Sequence, residues 1–490
     1  MEKIKDLVRS LSTKEISAIR KYFDFNVSGE DNFKLILFDK IVKGLIKDDK
    51  AAANFLSKKP SDPAYIMLKK RLREDILKVL VWRDDLIKFK SKYFEARYKC
   101  RLLITQADIL ILKGATQIAI DCLNKAKKLA DHYELTNEVL IINDLLISQV
   151  ALKSGYEAYS HIADSSRSNI KLLQDKFDAQ DYLRQLTMPN LFKVNKDSNF
   201  KEESSNANKI LKQLSEMNSS SEIDFWYLRS EVFIHHIENN YEGAYKYALE
   251  FLKLVRKSPV VFSMDNIGGA CMQLAIITIH LNDLENAKIY SKEAIDSFVK
   301  GSNNQLNAYS YLFLTKLYQK DFYKADLIIE NILTSNSFKL AEFSKSKWNY
   351  YKANLLFAQG KYDDALALLQ RENELISDKS GWRLGFKILE MMCIIELGYY
   401  DWLDFRIETF RKLLSDVKNE NVSRPKLVLQ IIKGFIKHMY DFKTSTIDLK
   451  EHFDLLASND AEYKWDPIGY EVIPFHKWWY NKIASDKEVA

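Results

Sequence analysis

A short turn signature recurs five times through the second half of the chain and constrains its fold more than any other feature. Each copy begins with Asn, Lys or Gly, and a small or apolar residue follows five positions later: Ala244, Ala287, Ala325, Ala365 and Leu403. Successive members of this set are 43, 38, 40 and 38 residues apart, the length of one helix–turn–helix unit. Such a unit cannot bury its apolar face alone, so its copies must stack. The sequence therefore predicts a solenoid of antiparallel helix pairs, an architecture whose extended surface usually holds another molecule.

Glycine and proline, the residues that most often interrupt helices, are scarce in this chain. It has 14 glycines and 7 prolines in 490 residues, below the usual shares of about 7% and about 5%. We therefore predict long helices and an all-α fold. A repeat array also accommodates a chain of this length without one large core, because each unit contacts only its neighbours.

The pattern changes along the chain and predicts five regions. A capping box at Ser12 and Glu15 opens one helix of a non-repeating N-terminal module. Ser, Asn, Lys and Glu then concentrate in a later stretch, which is typical of exposed turns around one short helix at residues 207–217 and predicts a break or hinge. In order, the regions are the N-terminal helical module at 1–97, the first repeats at 98–194, the polar break at 195–223, the regular repeats at 224–417 and a C-terminal helical cap at 418–490.

The predicted cap crowds aromatic residues among the few prolines of the chain. A terminal repeat needs cover for its open apolar face, and bulky rings provide it. The alternative is an aromatic patch that binds a partner. The residues concerned are Trp465, Pro467, Tyr470, Pro474, Phe475, Trp478, Trp479 and Tyr480.

Residues 98–417 resemble tetratricopeptide repeats (TPRs), in which small residues let paired helices approach closely. The best copies carry Leu274-Ala275 with Ala287 and Ala294, and Ala353 with Tyr362 and Ala365; an earlier copy has Ala107, Ala119 and Ala126. The chain departs from the family in spacing, which is nearer 40 than the usual repeat of about 34, in its shifted tryptophan at Trp348 and in lacking the terminal proline. The resemblance implies a right-handed superhelix that works as a non-enzymatic protein-interaction scaffold.

In proteins that this chain resembles, partners lie on the groove lined by the first helix of each pair. The positions carried over from the family are mostly apolar or aromatic, so the resemblance implies that the chain binds a protein or peptide, such as an amphipathic helix or a hydrophobic peptide. The basic and Asn clamp that holds a peptide carboxylate in some members is not reproduced. The alternative is that these side chains pack between neighbouring repeats. The implied groove residues are Trp226, Arg229, Phe233, His236, Met272, Ile276, Tyr350, Asn354 and Phe357.

Positive charge concentrates between Leu68 and Arg101. The stretch holds twelve Lys or Arg against five Asp or Glu, whereas the whole chain has 73 against 67 and a net charge of +6. A second hypothesis is therefore a regulatory protein that contacts nucleic acid here and senses a partner with its repeats. The competing interpretation is a pair of solvated helix faces. The residues predicted to contact an anion or nucleic acid are Lys69, Lys70, Arg71 and Arg73.

The sequence lacks the patterns that usually mark catalytic, cofactor or metal sites. No phosphate-binding loop, dinucleotide fingerprint, zinc-protease pair or serine elbow occurs. The adjacent His235 and His236 point about 100° apart on a helix and cannot share a metal. The four cysteines form no close pair, and no apolar stretch is long enough to cross a membrane. We therefore predict no catalytic residue, no metal, no cofactor and a cytoplasmic protein without a signal peptide.

Overall fold

A computed structural model describes residues 1–26, 32–89, 91–191, 200–335, 338, 340–371, 381–416, 422–458, 460 and 462–488. Within these ranges every regular element is helical. The chain divides into two compact units, Met1–Lys90 and Ser91–Ala490. The division precedes the predicted boundary at residue 97, because Ser91 already caps a helix that runs through that position. The predicted boundary at residue 417 lies outside the described residues.

The first unit packs five helices around its own apolar core. The predicted capping box is confirmed: the Ser12 N–H donates to Glu15 Oε2 at 2.7 Å, and the Glu15 N–H donates to Ser12 Oγ at 3.3 Å. Large side chains such as Phe38 and Tyr65 are fully buried in the core. The helices are α1 (Glu2–Arg9), α2 (Thr13–Asn26), α3 (Phe33–Val42), α4 (Asp49–Phe55) and α5 (Pro63–Trp82).

The second unit begins with α6 (Lys92–Leu112), α7 (Thr116–His132) and α8 (Thr136–Leu191). α8 is interrupted at Gly155, whose φ of 81° is not helical. Asn143 Nδ2 donates to Ser165 Oγ at 3.3 Å and to Ser166 Oγ at 3.1 Å. A continuous helix would separate such positions by about 1.5 Å per residue along its axis. The two arms of α8 therefore lie side by side as another helix pair.

The described part of the predicted polar break is a packed helix, α9 (Phe200–Met217). Ala207 and Leu211 are buried against the second arm of α8 and the start of the next helix. The expectation of exposed turns before residue 207 is therefore wrong within the described part, because the helix already begins at Phe200 and buries Ala207 and Leu211. Residues 195–199 lie outside the described part, and a hinge at this place stays a prediction.

Five regular helix pairs follow, and together with the preceding helices they form the predicted TPR-like array of antiparallel helices. The pairs are α10 (Ser221–Ile237) with α11 (Tyr241–Lys257), α12 (Met264–His280) with α13 (Leu284–Ser297), α14 (Asn303–Tyr318) with α15 (Phe322–Thr334), α16 (Glu342–Ala358) with α17 (Tyr362–Arg371), and α18 (Trp382–Leu397) with α19 (Leu403–Asp416).

The five turn signatures are confirmed at atomic detail. The first residue of each turn is left-handed, with φ between 57° and 75° at Asn239, Asn282, Lys320, Gly360 and Gly398. Such a residue ends a helix by letting the following N–H groups bond back to its last carbonyls. The small or apolar residue that follows each turn is fully buried, as Ala244 and Leu403 illustrate. The sequence pattern thus indicates both the turn and the close approach of the paired helices.

The C-terminal part covers the end of the array, as the sequence predicts. The helices α20 (Ser423–Lys437), α21 (Phe442–Asp448) and α22 (Lys450–Ala457) precede a non-helical stretch, and α23 (Phe475–Glu488) closes the described chain. Trp479 is fully buried, and its ring centroid lies 5.2 Å from Phe435 and 4.6 Å from Phe442. The ring of Tyr400, just before α19, lies 6.0 Å from that of Phe435, so aromatic side chains of the C-terminal part contact the last repeat.

Candidate peptide-binding groove

The first helices of the five regular pairs, α10, α12, α14, α16 and α18, form one face of the second unit, here called the groove. Residues 463–474, here called the crossing segment, lie across it. The Tyr318 hydroxyl lies 2.5 Å from the carbonyl oxygen of Pro467 and 3.2 Å from that of Val472. The Tyr350 hydroxyl donates to the carbonyl oxygen of Tyr470 at 2.7 Å. The groove thus holds a stretch of its own chain by that stretch's backbone.

A buried ion pair anchors the crossing segment at its C-terminal end. Arg424 donates from Nε and Nη2 to the two carboxylate oxygens of Glu471, at 2.7 and 2.8 Å. The remaining nitrogen, Nη1, donates to the carbonyl oxygens of Leu456 and Tyr463. Both members of the pair are almost fully buried, so each charge is compensated by the other and not by water.

His476 lies against this ion pair and stays neutral. Its Nδ1 is 3.0 Å from Arg424 Nη2. Burial, followed by the positive charge of Arg424, lowers the pKa of His476 to about 4. An imidazolium beside the guanidinium would add a second buried positive charge. The anchor therefore depends on a neutral histidine.

The other end of the crossing segment reaches α12 and the start of α11. The His280 ring stacks on Tyr241 with centroids 4.0 Å apart, and the Lys464 ammonium lies 4.9 Å from the same tyrosine ring. Asp466 Oδ1 is 3.5 Å from His280 Nε2. Burial lowers the pKa of His280 to about 3, so this contact is not an ion pair at neutral pH.

The position two residues before the left-handed turn recurs as a contact with the C-terminal part of the chain. At this repeat position His280 faces Asp466, Tyr318 bonds Pro467, and Glu396 accepts a hydrogen bond from the Trp478 Nε1–H at 2.7 Å. These functional positions were not predicted from the sequence. Aligning the repeats on their turns and looking for polar residues at this position would have identified all three.

Three of the predicted groove residues lie beneath the C-terminal part. Tyr350 and Asn354 are each 1% exposed and Phe357 is 5% exposed. Asn354 Nδ2 donates to the Tyr350 carbonyl oxygen, and the Phe357 ring lies 6.2 Å from that of Trp478. The expectation that these side chains are open on the groove is therefore corrected, because the chain itself covers them. Their contact with a partner stays a prediction that requires the C-terminal part to move.

The other predicted groove residues lie together where the groove is open. Arg229, Phe233 and His236 on α10 and Met272 and Ile276 on α12 line one cavity of about 430 Å³. Trp226 lies beside it, with its ring centroid 5.6 Å from the Arg229 guanidinium. Ile468 of the crossing segment forms part of the wall. This cavity therefore lies in the half of the same face that the crossing segment leaves uncovered, here called the open half.

Arg229 has an electrostatic environment unlike that of Arg424. By accessible surface its side chain is exposed, although desolvation by the groups packed around the guanidinium lowers its pKa. Its guanidinium lies over the rings of Phe225 and Trp226, but within the described parts of the chain no carboxylate pairs with it. His236 lines the same cavity with a buried Nδ1 that no described residue bonds.

A larger cavity of about 1,020 Å³ lies along the C-terminal part of the chain. Its walls include Tyr318, Phe357, Trp465 and Trp478. These residues belong to the contacts that hold the crossing segment and α23. The cavity therefore belongs to the surface on which the C-terminal part packs and is not a separate site.

The predicted anion-binding cluster is on α5, in the first unit. Lys69 is tied to Asp49, with its Nζ 2.8 Å from both carboxylate oxygens, and lies 4.6 Å from the Tyr65 ring. Lys70, Arg71 and Arg73 are exposed. Three of the four basic side chains can thus reach an anion, and a nucleic-acid contact here stays a prediction.

Among the residues that the structure describes, no group of His, Cys, Asp and Glu side chains is arranged to hold a metal ion. A search of the same residues for a membrane-crossing helix finds none of sufficient length and apolar character.

Comparisons with known proteins add little to this description. No protein-family model and no curated protein matches the sequence. Among solved structures, a signal transduction ATPase with numerous domains (STAND) protein with a tetratricopeptide repeat sensor, from Pyrococcus horikoshii, is similar at 15% identity, 85% coverage of this chain, 66% coverage of that chain and a TM-score of 0.30. The P58(IPK) TPR domain is similar at 12% identity, with 78% and 99% coverage and a TM-score of 0.22. This chain thus spans slightly less than two thirds of the first protein. At identities and TM-scores this low, neither likeness carries an argument about this chain.

Proposed function

We propose that this protein is a non-enzymatic interaction scaffold that holds a non-helical segment of a partner protein on its groove. The observation that carries this proposal is the crossing segment, a non-helical stretch whose carbonyl groups accept hydrogen bonds from Tyr318 and Tyr350. Phenolic hydroxyls donate to any peptide carbonyl. A face that holds one non-helical chain in this way has the chemistry to hold another.

A non-helical peptide fits this chemistry better than the amphipathic helix that the sequence analysis includes among the partners. Carbonyl groups inside a helix already accept the N–H groups one turn further along. They would offer Tyr318 and Tyr350 only a weak second acceptor site. Aromatic walls such as Trp465 and Phe357 would then select apolar side chains along the peptide.

A fluorescent peptide with the sequence of residues 462–476 tests the proposal on the full-length protein. In the unmodified protein the attached segment competes at high effective concentration. Glu471→Gln weakens the anchor of that segment, whereas the added peptide still offers its own glutamate to Arg424. We expect the peptide to bind the Glu471→Gln protein about tenfold more tightly than the unmodified protein, because intramolecular competition is reduced.

A peptide of the same composition in scrambled order is the matched control. Adding Tyr350→Phe to the Glu471→Gln protein should weaken peptide binding, because one hydroxyl that holds the peptide backbone is lost. Equal binding of the two peptides, or no binding to either protein, would contradict the proposal.

The nucleic-acid hypothesis has a separate test. Lys70, Arg71 and Arg73 are exposed on α5, and contacts with phosphates release about one counterion each. Binding to a duplex should therefore weaken steeply as salt rises and respond to replacement of these three residues. A flat salt response would remove this hypothesis.

A further inference from the structure

One side of α5, in the first unit, is exposed and carries several large apolar side chains. The opposite side packs in the core of that unit, where Leu72, Ile76 and Val79 are buried. The exposed side, here called the α5 face, includes Ile66, Met67, Leu77, Val81 and Trp82, and the last two are 59% and 66% exposed. Single exposed apolar side chains are ordinary, but a cluster of them on one face usually marks a contact with another molecule.

The cations of the α5 face lie between two apolar ends. Ile66 and Met67 form one end, and the apolar side chains from Leu77 onward form the other. At about 1.5 Å per residue, the face is about 24 Å long. The exposed residues Lys70, Arg71 and Arg73 lie in the middle, and no ion pair joins any of the three to a carboxylate in the described parts of the chain. The order along the face is therefore apolar, basic, apolar.

The other charges of α5 leave this middle region positive. Asp75 is buried and is paired with Lys34, with 2.6 Å between its Oδ2 and the lysine Nζ. Lys69 is likewise engaged by Asp49. Glu74 is the one exposed carboxylate of α5, so the three cations in the middle outnumber it. A partner with negative charge at this place would complement the face.

The order of charges also distinguishes among anionic partners. A nucleic-acid backbone or an anionic membrane presents negative charge along its whole length. It would therefore place phosphates against the apolar ends as well as against the cations, and Asp84 follows the Trp82 end. A protein segment can instead carry acidic side chains opposite the cations and apolar side chains opposite both ends. The α5 face therefore fits a protein segment better than a uniformly charged surface.

We propose that the α5 face binds a segment of a partner protein that carries acidic side chains between two apolar groups. Lys70, Arg71 and Arg73 pair with the acidic side chains, and the apolar groups pack on the two ends of the face. This contact goes beyond the proposed function of the groove, because α5 belongs to the first unit and the groove to the second. Its failure would leave the groove proposal untouched.

Binding of two synthetic peptides to the full-length protein tests the inference. Both peptides are about 16 residues long, enough to cover the face as a helix, and both contain the same numbers of alanines, leucines and glutamates. One has its glutamates in the middle and its leucines toward both ends, whereas the other has the reverse order. Acetylated and amidated ends remove the terminal charges. A DNA duplex and phosphatidylserine vesicles are measured in parallel.

A charge variant and a matched control locate the contact. Arg71→Gln combined with Arg73→Gln removes two cations from the α5 face. Lys3→Gln combined with Lys14→Gln removes two exposed cations from α1 and α2 instead. All four side chains are exposed, so both proteins should fold normally, which urea unfolding checks.

We expect the peptide with central glutamates to bind about tenfold or more tightly than the reversed peptide. The Arg71 and Arg73 variant should bind it about tenfold more weakly, because each exposed ion pair contributes about threefold, and the control should bind it as the unmodified protein does. Leu77→Ser with Val81→Ser should also weaken binding about tenfold, because apolar contacts at one end are lost.

Three results would overturn the inference. The first is equal binding of the two peptides, or no binding of either. The second is an equal loss in the Lys3 and Lys14 control, which would indicate attraction to the net charge alone. The third is tighter binding of the duplex or of the vesicles than of the peptide with central glutamates, which would assign the α5 face to nucleic acid or to a membrane surface.

Discussion

The two halves of the groove are built from the same kind of helix pair but differ in what covers them. Over α14, α16 and α18 the crossing segment supplies backbone carbonyls to Tyr318 and Tyr350, and its Glu471 neutralises Arg424. Over α10 and the first part of α12 the crossing segment leaves the face uncovered, and no described carboxylate pairs with Arg229. In the covered half the C-terminal part of the chain bonds Tyr318, Tyr350 and Arg424, whereas the other half receives no such contact from the described part of that segment.

The difference teaches that a repeat face alone does not determine where a partner binds. The first helices of all five pairs present aromatic and apolar side chains, so each could serve as a groove. Which part is accessible depends on a segment that lies more than a hundred residues further along the chain, as the Tyr350–Tyr470 hydrogen bond shows. The covered half therefore depends on the stability of that segment.

Breaking the anchor of the crossing segment should have the largest effect. Glu471→Gln leaves the buried Arg424 without its counter-charge, and loss of one partner of a buried pair costs about 3–5 kcal/mol. Unfolding by urea should show a loss of that order, and amide exchange of residues 463–474 should accelerate. Glu408→Gln is the control, because its partner Arg411 is exposed and such pairs contribute about 1 kcal/mol or less. Equal losses of unfolding free energy in the two variants would show that the Arg424–Glu471 pair stabilises the protein no more than an exposed ion pair does.

Acid should loosen the covered half through His476. Burial and Arg424 lower its pKa from 6.5 to about 4, so the unfolded chain binds the proton more readily than the folded one. Stability that is present above pH 6.5 is therefore lost as the pH falls toward 4, by about 3 kcal/mol for this group at about 1.4 kcal/mol per pKa unit. Glu471 opposes this shift and Lys477 reinforces it.

The variant His476→Gln isolates this contribution, since glutamine does not titrate. Urea unfolding of both proteins should be measured from neutral pH down to about pH 4. The unmodified protein should lose more stability over this range than the variant. Parallel pH profiles for the two proteins would contradict the assignment.

Local features of the fold could be predicted from the sequence, and the path of the crossing segment could not. Asn239 and Lys320 mark their turns because the left-handed residue and the small residue after it lie within a few positions of each other. The family resemblance also implied that Arg229, Phe233 and Met272 share one face, and all three line one cavity. The pairing of Arg424 with Glu471 links positions 47 residues apart, and no local pattern encodes it. The open half was therefore accessible to sequence reasoning, whereas the cover over Tyr350 required the structure.

A pair of glycine variants compares the two halves directly. A Cβ on Gly385 of α18 would lie 2.1 Å from the carbonyl oxygen of Tyr470, whereas a Cβ on Gly269 of α12 meets nothing within 4 Å. Gly385→Ala should therefore push the crossing segment away and cost about 1–3 kcal/mol, as overpacking does. Gly269→Ala should stabilise the protein by up to about 1 kcal/mol, because alanine favours the helix. Urea unfolding checks both signs, and a loss in both variants would mean that the open half is also packed closely.

Removing one hydroxyl should have the smallest effect on stability, and the effect should be confined to the crossing segment. Tyr350→Phe keeps the ring in place but loses the hydrogen bond to the Tyr470 carbonyl, which contributes about 1 kcal/mol. Amide exchange in the crossing segment should then be about fivefold faster if the segment opens locally. Tyr241→Phe is the matched control, because its ring faces Lys464 of the crossing segment but its hydroxyl bonds Asn239 Oδ1 within its own turn. If Tyr241→Phe accelerated exchange in residues 463–474 as much as Tyr350→Phe, the crossing segment would be held by ring packing, and the backbone-directed hydroxyls would not explain how the groove holds a chain.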